Sequence, residues 1–130
     1  MFGDPWRLSD FRETLAVGLP FFVAEEDGAV AGYVIAQYAA DQGEILNLGV
    51  GSPYRRRGLG RALVERALAE LAARGVTSVF LEVRDSNQAG RRLYERVGFR
   101  EVGRRINYYE RPREDAVLLR TAISAAGASA

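Results

Sequence analysis
Between residues 50 and 59 the spacing of apolar residues changes from one that suits strands to one that suits helices. That change decides which class of fold is open to the chain. Ahead of it lie Phe21–Ala24, Ala29–Tyr38 and Glu44–Val50, short runs rich in aliphatic and aromatic residues. Asp27-Gly28 and Asp41-Gln42-Gly43 separate them with turn chemistry, so the three runs predict an antiparallel meander. Gly51-Ser52-Pro53 ends the last strand. From Leu59 the pattern is helical: Leu59, Leu63, Ala67 and Leu71 form a stripe at i, i+4 spacing, and Gly75 ends it. Arg61/Glu65, Arg66/Glu70 and Glu70/Arg74 form charge pairs away from that stripe.

The remainder alternates. Ser78–Arg84 reads as an apolar strand. Ser86 or Asn87 caps a second helix with Ala89, Leu93 and Val97 as its inner face, and Gly98 ends it. Phe99–Val102 and Asp115–Leu119 read as two more strands joined by a polar segment at 107–113. Before the meander, the loop Asp4–Asp10 leads into a predicted helix capped by Ser9 or Asp10. Phe11 and Leu15 lie one turn apart on it, and Gly18 and Pro20 stop it. The whole predicts a mixed α/β (α+β) sheet, antiparallel first, with a parallel pair where a helix crosses over. A length of 130 residues suits one domain, placed at 1–122, with a frayed small-residue tail at 123–130.

Composition excludes much chemistry. There is no cysteine and no histidine. Disulfides, a thiol nucleophile, imidazole or thiolate metal sites and a Ser-His-Asp triad are therefore ruled out. Proton transfer must come from Glu, Asp, Tyr, an amine or water. The net charge of +1, from 18 basic and 17 acidic residues, gives no reason to expect nucleic-acid binding. No charged start leads into an apolar core, and no apolar run reaches bilayer length. A soluble cytoplasmic protein without a membrane partner or a bound metal is the expectation.

Charge placement is more telling. Arg55-Arg56-Arg57-Gly58-Leu59-Gly60-Arg61 lies between a strand and a helix start. Glycines there let backbone N–H groups converge, the helix terminus adds partial positive charge, and arginines add forked donors. The set suits a pyrophosphate. It equally describes a solvated basic helix start. It is neither a P-loop, which needs G-x-x-x-x-G-K-S/T, nor a dinucleotide fingerprint, which needs a βαβ unit.

Arg55-x-x-Gly58-x-Gly60 resembles the acetyl-CoA pyrophosphate motif Q/R-x-x-G-x-G/A of the GNAT acetyltransferases. Leu46-Asn47-Leu48-Gly49-Val50 is similar to the family strand whose backbone pairs with the pantetheine arm. Leu81-Glu82-Val83-Arg84-x-Ser86-Asn87, Leu93-Tyr94-Glu95-x-x-Gly98-Phe99 and Asn107-Tyr108-Tyr109 with Glu114-Asp115-Ala116 resemble the ribosomal-protein-alanine N-acetyltransferase (RimI) branch in order and spacing. Asp4-Pro5-Trp6 resembles that branch's early substrate-side region, so the likeness runs from about residue 4 to about residue 120. The family fold opens with a strand and a helix that this chain starts too late to hold. The sheet is then expected to lack its first strand, and pairing into a homodimer is one way to cover the edge.

The resemblance implies acetyl transfer from acetyl-CoA to a protein or peptide N-terminal α-amine, with a ribosomal-protein alanine as target. A small-molecule amine or a lysine as acceptor, and an acyl-CoA-binding module without catalysis, are the alternatives. Aminolysis of a thioester needs a neutral amine, donors for an oxyanion and a proton for the leaving thiolate. From its strand alone, Glu82 is ordinary alternation; the resemblance makes it the proton acceptor. Tyr94 alone is a packing tyrosine; the resemblance makes it the acid. The implied cofactor residues are Leu48, Gly49, Val50, Arg55, Arg56, Arg57, Gly58, Leu59, Gly60, Arg61 and Asn87, the last doubling as a helix cap. Backbone N–H groups near Val50 would hold the oxyanion. Trp6, Tyr108 and Tyr109 either line the substrate groove or serve as packing aromatics. Glu114 and Asp115 read as solvated turn acids, with attraction of a positive N-terminus as the other reading.

Overall fold
The computed structural model describes residues 11–16, 19–26, 28–56 and 58–124. Trp6, Arg57, the caps at Ser9 and Asp10, Gly18, Asp27 and most of the tail lie outside them. The strands are β1 (Phe11–Ala16), β2 (Leu19–Glu26), β3 (Ala29–Ala39), β4 (Gln42–Val50), β5 (Ser78–Arg84), β6 (Arg100–Glu110) and β7 (Arg113–Ala122). The helices are α1 (Leu59–Ala73) and α2 (Gln88–Val97). The strands form one sheet in the order β1-β2-β3-β4-β5-β7-β6. Only β4 and β5 run parallel, joined by the α1 crossover; every other pair is antiparallel. The mixed α/β layout is the expected one.

The core lies between the sheet and α1. Leu59, Leu63, Ala67 and Leu71 are all 2% exposed or less, so the predicted stripe is the buried face. They meet Phe22, Ala24, Ala31, Val34 and Ala36 from β2 and β3, and Val79 and Leu81 from β5. Strand β5 alternates strictly, with Val79, Leu81 and Val83 inward and Phe80, Glu82 and Arg84 on the opposite face. That alternation is what turns Glu82 away from α1.

Three expectations need correction. Residues 11–16 form strand β1, not a helix, and pair with β2 from Phe11↔Ala24 to Ala16↔Leu19. Two residues four apart share a face in a strand as well as in a helix, so Phe11 and Leu15 could not distinguish the two. Pairing with β2 decides, because β2 would otherwise present a bare row of backbone donors and acceptors. Strand β1 thus covers the outer side of β2 and is itself the end strand of the described sheet. Second, the segment at 107–113 is mostly strand: β6 and β7 pair again at Tyr109↔Glu114 and Glu110↔Arg113, beyond a register shift. Third, the inner face of α2 does include Leu93 and Val97, half-buried against the core, but its buried residue is Tyr94, and Ala89 is exposed. Among the described residues no helix is long and apolar enough to cross a membrane.

Leu63 has no exposed surface and sits mid-stripe. Leu63→Ala should cost about 2–5 kcal/mol through lost burial and a residual cavity. Urea unfolding should show a lower midpoint with an unchanged slope; an unchanged midpoint would contradict this packing.

Candidate active site
Strands β4 and β5 start as neighbours and then part. Their ladder holds Gln42↔Ser78, Gly43↔Val79 and Glu44↔Phe80, and no pair follows. Both strands continue, because β3 holds β4 as far as Gly32↔Val50 and β7 holds β5 as far as Arg84↔Ala116. The register between β3 and β4 jumps from Ala36↔Ile45 to Ile35↔Asn47, so Leu46 is an extra residue. Such a bulge bends its strand and sharpens its twist. It falls just where β4 leaves β5. The result is a cleft with one wall of strand backbone that lacks β-partners and needs hydrogen-bond partners.

A cavity of about 220 Å3 occupies the opening, bounded by Ile45–Leu48, Leu81–Arg84, Asn87, Tyr94 and Tyr109. Glu82 and Tyr94 therefore face one cavity, from β5 and from α2. The Glu82 side chain is 23% exposed, and its Oε2 is buried without a hydrogen bond. The Arg105 Nε lies 3.3 Å from that oxygen, close enough to pair by charge but not aligned to donate. Tyr94 packs edge-on against Phe99, and burial pushes its hydroxyl pKa up, so it holds its proton at neutral pH. Tyr109 also lines the cavity and is raised by burial first and by the Glu82 charge second. Its ring carries the Arg84 guanidinium at 4.1 Å. Tyr108 stands outside the cavity, exposed, edge-on to Tyr109. The two tyrosines follow Asn107, whose φ of 53° marks the β6 irregularity. The Asn107 N–H donates to Asp115 Oδ1 at 2.9 Å and so pins that irregularity.

A second cavity, of about 760 Å3, shares Leu48 with the first as a lining residue. It is lined by Leu48, Gly49, Val50, Arg55, Arg56, Gly58, Leu59, Gly60 and Arg61, nine of the residues singled out from the sequence. Gly58 is the N-cap of α1, at φ 81°, where a side chain would be strained. It offers no capping oxygen, and the first turn of α1 holds no acid. The first N–H groups of α1 are therefore left for an anion. Helix α2 differs: Asn87 Oδ1 accepts from Gly90 N at 3.0 Å, so Asn87 caps α2 while bordering the small cavity. The Arg55 Nε donates to Val50 O at 3.1 Å, which folds the loop back on the end of β4. The opposite wall, Ala89, Gly90, Arg92, Leu93 and Arg96 of α2, was not read from the sequence. Its signal was the Arg92/Arg96 pair at i, i+4, on the side of α2 that also carries Ala89. An open helix N-terminus, a glycine turn, several arginines and an unpaired strand edge fit the phosphates and amide arm of acetyl-CoA.

A model of the acetyltransferase (GNAT) family matches residues 2–99. The chain belongs to that family. Ribosomal protein bS18-alanine N-acetyltransferase of Escherichia coli K12 is 39% identical over 122 residues, covering 92% of this chain and 82% of that protein. N-alpha-acetyltransferase RimI of Mycobacterium tuberculosis is 37% identical over 122 residues, covering 90% and 75%. The crystal structure of the Escherichia coli ribosomal-protein-S18-alanine N-acetyltransferase superposes with a TM-score of 0.78 at 40% identity, covering 84% of this chain and 72% of that one.

Within this GNAT chain, Glu114 and Asp115 are not free turn acids. Glu114 lies on β7 and accepts from Ser86 N at 2.9 Å and from Arg84 at 3.1 Å, tying the end of β5 to the entry of α2. The Ser86 backbone bond, with help from the Ser86 hydroxyl and Arg84, holds the Glu114 carboxyl below the usual glutamate range. A carboxyl lowered by folding adds stability above its unfolded pKa, about 4.3, and loses it as pH falls through the folded value. The melting temperatures of wild type and Glu114→Gln should therefore differ most near pH 7 and converge in acid, below the usual glutamate range. A gap independent of pH would remove Glu114 as an ionised clamp.

Proposed function
We propose that this GNAT enzyme transfers the acetyl group of acetyl-CoA to the α-amine of a protein N-terminus, with alanine as the first residue. The observation that carries this is the shared cavity of Glu82 and Tyr94 at the parting of β4 and β5. The similarity to bS18-alanine acetyltransferases supports the acceptor class. A ribosomal-protein acceptor implies an enzyme of the cytoplasm.

Acetyl-CoA, when bound, supplies the activated acetyl thioester. Gly58, Gly60, Arg55, Arg56 and Arg61 would hold its pyrophosphate, and the β4 backbone at Leu48, Gly49 and Val50 would orient its arm. Asn87 borders the small cavity and would lie near that arm. Glu82 Oε2 takes the proton of the incoming amine, directly or through a water. An α-amine suits a carboxylate base, since its pKa of about 8 lies well below the lysine value of about 10.4. Tyr94 keeps a proton for the leaving sulfur. Tyr109, and Tyr108 beside it, flank the acceptor.

Release of CoA thiol from acetyl-CoA with an Ala-Arg-starting peptide, against the same peptide with a blocked N-terminus, tests the reading. Thiol release should need the free α-amine; release that ignores the block, or none, would refute it. Glu82→Gln and Tyr94→Phe should each lower kcat by about 10²-fold or more. CoA affinity measured by calorimetry should stay within about threefold, since neither change removes a phosphate contact. Unchanged turnover in both variants would sink the role assignment.

A further inference from the structure
Two arginines of the larger cavity are not accounted for by the loop that opens α1. Arg92 and Arg96 stand one turn apart on α2 and both line the cavity. Leu93, between them, reaches Gly60: a Cβ at Gly60 would lie 2.9 Å from Leu93 Cδ1. The pair therefore flanks the contact between α2 and the first turn of α1. Neither guanidinium has a hydrogen-bond or ion-pair partner among the described residues. Their neighbour Arg91 takes the nearby acids, with Asp85 at 3.0 Å and Glu101 at 3.5 Å.

Like charges at i, i+4 destabilise a helix. The C-terminus of α2 offsets that for Arg96, in the last turn, but not for Arg92. Two unpaired arginines on one cavity wall make a site for an anion. On the acetyl-CoA reading the pyrophosphate would be met by the open N-terminus of α1 with Arg55 and Arg56, which line the same cavity. Coenzyme A carries one further phosphate, the 3′-phosphomonoester, with about −1.5 to −2 charge near neutral pH. A forked guanidinium matches such a group, and all 18 basic residues of this chain are arginine.

We propose that Arg92 and Arg96 form a phosphomonoester subsite on α2 that takes the 3′-phosphate of coenzyme A, apart from the pyrophosphate held by the α1 loop. This rests on the acetyl-CoA reading and adds to it a reason for the enzyme to discriminate between coenzyme A and its 3′-dephospho form.

Isothermal titration of the full chain with CoA and with 3′-dephospho-CoA tests the subsite without turnover. Wild type should bind CoA about tenfold or more tightly than dephospho-CoA, the size expected for charge-assisted contacts. R92Q/R96Q should bind both with the Kd that wild type has for dephospho-CoA, and R92K/R96K should keep part of the preference. Equal Kd values in wild type would overturn the subsite alone. So would a double variant of wild-type circular dichroism that weakens both ligands equally, because the pair would then act on the pyrophosphate. Binding of neither ligand by wild type would overturn the acetyl-CoA reading with it.

Discussion
The site depends on one irregularity of backbone. Strand β4 must serve as the partner of β3 over its whole length and of β5 over only its first residues. A regular strand cannot do both, since a flat ladder started at Gln42↔Ser78 would simply continue. The extra residue at Leu46 supplies the bend. The energetic consequence is a row of strand N–H and C=O groups facing a cleft instead of a neighbour. Such groups are costly to leave unpaired unless water or a ligand reaches them. An extended amide-bearing arm is the kind of ligand that completes them, because it can pair as an absent strand would.

Electrostatics divides the two helix starts in the same sense. Helix α2 is closed by Asn87, and Arg91 beside it is neutralised by acids. Helix α1 is left open: a left-handed glycine caps it, no acid stands in its first turn, and arginines precede it. At φ 81° position 58 suits glycine and would strain an aspartate or serine, the residues that usually cap a helix start. The loop is therefore built to leave α1's first amides available, the arrangement that anion binding requires.

Much of this was legible because it is local. The α1 stripe, the meander, the strict alternation of β5 and the glycine turn before α1 all follow from spacing within a few residues. What failed was non-local. Phe11 and Leu15 fit either a helix or a strand, and only the β2 edge decides. The Leu46 bulge leaves no mark in Ile45-Leu46-Asn47-Leu48, which reads as an ordinary strand. The rotation of α2, with Tyr94 inward and Ala89 on the larger cavity, depends on how α2 meets α1 at Gly60. For that reason the family resemblance could nominate Glu82 and Tyr94 but the sequence could not bring them to one cavity.

The absence of histidine sharpens what that cavity must do. A single imidazole can take and return a proton near neutral pH, whereas carboxylates and phenols sit on opposite sides of it. A chain without histidine has to divide the work between two groups. Burial widens the division at Tyr94 by favouring the protonated hydroxyl. Glu82 is treated differently. It borders the small cavity and also a third one, of about 550 Å3, on the open face of the sheet, and a guanidinium stands beside it. The carboxylate thus borders the open face of the sheet, while the phenol is buried against Phe99. Both groups, Glu82 from β5 and Tyr94 from α2, line the cavity at the parting of β4 and β5.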